Sequence, residues 1–205
     1  SRAWEQTIDV LAMAAETRDP YTAGHQRNVS ILSEAIAKEL WLDNETVNSI
    51  RMAGLVHDVG KINIPTEILS KPGTLGEVEF ALIRTHPEVG YEIMKNIELP
   101  WRLAEMILQH HERMDGSGYP RGLKGDQIML EARVLAVADV VEAMSSHRPY
   151  RASLGAEAAL EEIETNKGRL YDPQVVDACL RLFRKKGFSF PDHGRGFGGD
   201  FGGER

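Results

Sequence analysis

Apolar residues recur at helical spacing along almost the whole chain, and no strand-like alternation of any length competes with them. Between Trp4 and Glu16 the stripe is Ile8, Leu11, Met13 and Ala15, and Arg18-Asp19-Pro20 interrupts it. Val29, Leu32, Ile36 and Leu40 predict a second helix ending near Leu40, with Asp19 or Thr22 as its cap. Asp43 is placed to cap a third, running through Val47, Ile50 and Leu55 to His57-Asp58, where Gly60 can end it. Further helices are predicted over about 77–83, 87–97, 100–110, 130–146, 156–166 and 173–186. Asp115-Gly116-Ser117-Gly118-Tyr119-Pro120 reads as a loop. The fold class is all-α: one domain over residues 1–187, followed by a flexible Gly-rich tail over 188–205.

A chain of 205 residues can bury a sizeable core without staples. Its one cysteine, Cys179, excludes an internal disulfide and, with no CxxC, a thiolate zinc knot. The net charge of −7 argues against binding a nucleic-acid polymer, which depends on neutralising phosphates. A small phosphate-bearing ligand held by a few local arginines stays open. No apolar run reaches the roughly 18 residues of a membrane span. The chain starts at Ser1 and enters a helical pattern at once, so it reads as a piece of a longer protein.

The histidines are ordinary in number and unusual in position. His57-Asp58 and His110-His111 are adjacent pairs, and His25, His86 and Asp139 complete a candidate metal set. Neighbours on a helix diverge by about 100°, so such a pair can address two adjacent metal positions rather than chelate one ion. Imidazole and carboxylate without thiolate suit Fe, Mn or Zn in a catalytic site. Asp139 lies in the apolar run Val134-Leu135-Ala136-Val137-Ala138 and Val140-Val141. A carboxylate buried there needs a cation or internal donors, and either a metal or a core partner would satisfy it.

The string His57-Asp58-Val59-Gly60-Lys61, then His86-Pro87-Glu88, His110-His111-Glu112, the loop 115–120 and Ala138-Asp139, closely resembles the HD-GYP family. Its members are bacterial phosphodiesterases of cyclic di-GMP within the HD superfamily of metal-dependent phosphohydrolases. The resemblance spans about residues 8–182, including Arg18 to His25 at the front and Arg148-Pro149-Tyr150-Arg151 near the back. It implies an HD-type helical bundle with a two-metal site in its core. His25, His57, Asp58 and Asp139 would hold one ion, and Asp58 would bridge to a second held by His86, His110 and His111. A hydroxide between the metals would attack phosphorus and give linear pGpG, GMP or both. Fe or Mn is the expected metal, with Zn, Ni or Co also compatible. Lys61 would contact the scissile phosphate or the activated water, and Tyr119, Arg148, Tyr150 and Arg151 would face the substrate.

The resemblance also implies partners: diguanylate cyclase domains through the GYP loop, an N-terminal sensory or receiver domain, and a second copy in a homodimer. The implied location is the bacterial cytoplasm, any membrane tether belonging to a preceding segment. Where some family members carry a glutamate ligand to a third metal, this chain has Tyr21, which favours two ions. Glu142 replaces a commoner aspartate and alters a contact behind the ligands. Two alternatives stand beside cyclic di-GMP hydrolysis. One is hydrolysis of the hybrid cyclic GMP-AMP; the other is a catalytically silent receptor or interaction module.

Overall fold

The computed structural model describes residues 2–16, 24–146 and 155–191. Within them the chain forms α1 (Arg2–Glu16), α2 (His25–Glu39), α3 (Asn44–Val56), α4 (Thr66–Leu69), α5 (Glu77–Ile83), α6 (His86–Met94), α7 (Leu103–Gln109), α8 (Leu130–Ser145), α9 (Ala156–Thr165) and α10 (Pro173–Lys186). Short 3₁₀ turns occupy Val59–Asn63 and Gly125–Gln127, and the described residues hold isolated β-bridges but no strand. The all-α expectation holds.

The caps explain several boundaries. Asp43 accepts from the backbone N–H of Glu45 and of Thr46, both at 3.0 Å, and opens α3 as expected. Asp172 does the same for α10, accepting from Gln174 at 2.8 Å and Val175 at 3.3 Å. The start of α2 differs from expectation. Gly24 is its cap residue, not Asp19 or Thr22, and both of those lie outside the described residues. The end of α3 differs too. The helix stops at Val56, before Gly60, and the chain tightens into the 3₁₀ turn.

Helix α2 packs along α3 and also against α8 and α10; α8 packs on α9; α6 packs on α7 and on the 3₁₀ turn. Val29, Leu32 and Ile36 of α2 meet Ile50, Ala53 and Val56 of α3, Leu135 and Val141 of α8, and Val175 of α10 in one core. The packed chain runs past residue 187: the rings of Phe188 and Phe190 lie 5.0 and 6.0 Å from that of Phe183. Of the tail expected over 188–205, residues 188–191 are described, and residues 192–205 lie outside the described residues. No helix among the described residues is long and apolar enough to cross a membrane.

Candidate metal centre

The seven expected ligands reach one place from several elements. His25 opens α2, His57 and Asp58 follow α3, His86 opens α6, His110 and His111 follow α7, and Asp139 lies on α8. They form three groups: His25, His57 and Asp58; His86, His110 and His111; His57, His110 and Asp139. Within each group the ligand atoms lie within 4.8 Å of one another.

Three imidazoles are oriented in the same way. His57 Nδ1 donates to the Gly54 carbonyl at 2.8 Å, His86 Nδ1 to that of Ile83 at 2.7 Å, and His110 Nδ1 to that of Ile107 at 2.6 Å. Each acceptor sits three residues back in the last turn of a helix, where carbonyls lack a partner within the helix. A carbonyl can only accept, so the proton is on Nδ1 and Nε2 turns a lone pair inward. Nε2 of His57 is buried with no hydrogen-bond partner. Nε2 of His86 and Nε2 of His110 stand 3.3 Å apart, lone pair against lone pair. Buried acceptors left this way are costly, and a divalent cation relieves them. The donor set therefore fits a metal.

Asp58 is the hinge of the arrangement. Its Oδ1 lies 3.3 Å from His86 Nε2. Its Oδ2 lies 3.7 Å from His25 Nε2, 3.6 Å from His57 Nε2 and 2.6 Å from Lys61 Nζ. One carboxylate thus addresses both halves of the cluster. Asp139 Oδ1 lies 3.2 Å from His25 Nε2 and 3.7 Å from His57 Nε2. Its side chain is 15% exposed and faces the cluster, not the apolar interior that its neighbours in sequence suggest.

The electrostatics suit ligation. Burial works against the charge of Asp58, yet the Lys61 ammonium and the surrounding imidazoles hold its carboxyl well below the usual range. Burial, reinforced by the neighbouring His57 and His86 rings, drives His110 down to about 3. His111 is lowered chiefly by burial. His25 goes the other way. Burial would lower it, but hydrogen bonds to Asp139 and Glu142 outweigh that and raise it to about 9. A metal at this imidazole must displace its proton.

Two glutamates stand behind the ligands. Glu142, three residues after Asp139 on α8, contacts His25 Nδ1 and accepts from Asn28 Nδ2 at 3.3 Å. At this position the chain thus sets a carboxylate against a candidate ligand. Glu112 had no expected role. It is buried and accepts the N–H of Arg121 at 2.7 Å and of Leu123 at 3.0 Å, tying down the loop that follows His111. Its signal was the buried acid directly after a histidine pair.

That loop borders the centre. The Tyr119 ring stacks on the His111 imidazole with centroids 4.8 Å apart and planes 20° apart. The close approach requires Gly118, because a Cβ there would fall 2.4 Å from the carbonyl oxygen of His111. Over the Tyr119 ring lies a cation that the motifs do not include: Arg84 Cζ is 4.6 Å from its centroid. Lys61 and Tyr119 are therefore at the site. Tyr21, Arg148, Tyr150 and Arg151 lie outside the described residues.

The HD domain family model matches residues 9–175. The chain is 44% identical to the cyclic di-GMP phosphodiesterase response regulator RpfG of Xanthomonas campestris, over 86% of this chain and 47% of that one. It is 43% identical to a cyclic di-GMP phosphodiesterase of Thermotoga maritima, over 86% of this chain and 49% of that one. It thus spans about half the length of these curated relatives. A solved cyclic GMP-AMP-specific phosphodiesterase of Vibrio cholerae superposes with a TM-score of 0.57 at 29% identity, covering 87% of this chain and 40% of that one.

Proposed function

The chain belongs to the HD domain family, in its HD-GYP form, and from that premise we propose that it is a metal-dependent phosphodiesterase of cyclic di-GMP. The observation that carries the reading is Asp58, whose two oxygens face two separate sets of imidazoles. We assign His25, His57, Asp58 and Asp139 to one divalent ion, and Asp58, His86, His110 and His111 to a second. Iron or manganese suits this nitrogen and oxygen set best, with Zn, Ni and Co as competitors. Bound there, two such ions supply an acidified water and positive charge against the phosphoryl oxygens.

The chain's own residues do the rest. Asp58 and Asp139 stay ionised and fix the spacing of the site. Lys61, held on Asp58, places a positive charge beside the scissile phosphate. Tyr119 walls the opening, and its phenol, raised by burial and by the charges of Asp139 and Asp58, keeps its proton. Arg148, Tyr150 and Arg151 are proposed to meet the dinucleotide. Water adds to phosphorus and the bond to the 3′ oxygen breaks. A proton from the water ends on the departing 3′ oxygen, so the ring opens to one linear pGpG with a 5′-phosphate at one end and a 3′-hydroxyl at the other; a second such hydrolysis gives two GMP.

A silent receptor would be marked by a lost ligand, and none of the seven is lost. The test is anaerobic purification, metal analysis and chromatography of the products from cyclic di-GMP, with hybrid cyclic GMP-AMP in parallel. Two ions per chain and linear pGpG or GMP are expected, and Asp58→Ala should abolish turnover while the helical circular dichroism persists. Near-normal turnover by Asp58→Ala in saturating manganese would refute the two-metal reading. A preference for the hybrid dinucleotide would reassign the substrate.

A further inference from the structure

We propose that Arg84 binds the second phosphodiester of the cyclic dinucleotide, the one not being cleaved; this deepens the phosphodiesterase reading and rests on it. Arg84 follows the last residue of α5 and stands two residues before His86. Its guanidinium lies 4.6 Å from the centroid of the Tyr119 ring, and that ring is stacked on His111. The cation is thus one aromatic ring away from a proposed metal ligand. Arg84 is exposed, and among the described residues its guanidinium has neither a carboxylate partner nor a hydrogen-bond acceptor. Lys61, which lies beside the site carboxylates, is already engaged by Asp58 at 2.6 Å.

A cyclic dinucleotide brings two phosphodiesters, and the metals serve one. The other is tied to it through the ribose units of the same ring, so it must fall within one nucleotide's reach of the ions. There it needs a counter-charge, and Arg84 is an exposed cation held over the Tyr119 ring that walls the opening. The aromatic face beneath Arg84 holds the planar fork in place before substrate arrives, lowering the ordering cost of a bidentate contact. A guanine edge would also suit the fork but is neutral, whereas the phosphate carries the charge that this position can offset.

The test compares unsubstituted protein with Arg84→Ala and Arg84→Lys, each loaded with manganese. Titration with the bisphosphorothioate analogue of cyclic di-GMP, which resists turnover, should show Kd raised about tenfold or more in Arg84→Ala, with Arg84→Lys intermediate and manganese content equal in all three. On cyclic di-GMP the loss should appear mainly in KM. On bis(4-nitrophenyl) phosphate, which has a single phosphate, the loss in kcat/KM should be several-fold smaller. Unchanged binding of the analogue by Arg84→Ala, or equal losses on both substrates, would overturn this assignment alone. Unsubstituted protein that cleaves bis(4-nitrophenyl) phosphate but does not bind the dinucleotide analogue would remove the cyclic di-GMP reading and this assignment with it.

Discussion

Glu142 shows how much a single buried carboxylate can control at a distance. It is 1% exposed, and its oxygens are shared among His25, Asn28 and Ser146. A carboxylate on one ring nitrogen fixes the orientation of the imidazole and raises the basicity of the other nitrogen. Glu142→Gln keeps the shape and removes the charge, and it should weaken manganese binding by about 10- to 100-fold. Glu142→Asp keeps the charge and should recover part of that. Competition against a chelating dye measures both, and equal affinities in all three proteins would reduce Glu142 to a packing residue. The sequence marks Glu142 as unusual but cannot name its partner, because His25 lies 117 positions earlier. His57-Asp58 and His110-His111 were legible because their chemistry is written in adjacent letters. Arg84 was not, because nothing local separates a cation over a tyrosine ring from one in solvent.

At the scale of elements, the contact that positions half of the centre is backbone against backbone. The 3₁₀ turn Val59–Asn63 lies directly on α6. A Cβ at Gly60 would stand 1.9 Å from the carbonyl oxygen of His86 and 2.6 Å from the nitrogen of Gly90. Neither atom belongs to a side chain that could swing away. Gly60→Ala should therefore push the turn off α6, carrying Asp58 and Lys61 away from His86. The expected result is a loss of about 1–3 kcal/mol in urea unfolding, with less manganese retained per chain. Wild-type stability and metal content in this variant would contradict the packing described here. The apolar stripes and Asp43 identified the helices, because those signals are local. They misassigned Gly60 as a helix stop and placed the start of α2 too early. Which backbone lies against a glycine, and which of several polar residues becomes a cap, is decided by tertiary contact.

For the whole molecule, the imidazoles set a pH dependence that reverses with metal. In metal-free protein His25 titrates near 9 when folded against an ordinary value of 6.5. Its stabilising contribution is complete below 6.5 and is lost as pH rises through about 9. His110 titrates near 3 and His111 is lowered too, so unfolding takes up protons below 6.5 and acid destabilises the fold. Metal-free stability should peak near neutral pH. With manganese bound, ligand protonation is the competitor, so stability should keep rising into the alkaline range. Urea midpoints at about pH 5.5, 7 and 9.5, with chelator and with manganese, separate the two curves. A metal-free midpoint that climbs steadily to the alkaline end would contradict the environment assigned to His25.

Six of the seven ligands leave from helix ends, Asp139 alone projecting from the middle of α8, and this makes the centre a hub with spokes. Helices α3 and α7 arrive at it with their C-termini, while α2 and α6 depart from it with their N-termini. The turn joining α2 to α3 is thus a rim, separated from the hub by the full length of α2, roughly 20 Å at 1.5 Å per residue. Trp41, 92% exposed, sits on that rim. A fluorophore, an affinity tag or an inserted reporter domain attached there would ride on the molecule without reaching the chemistry.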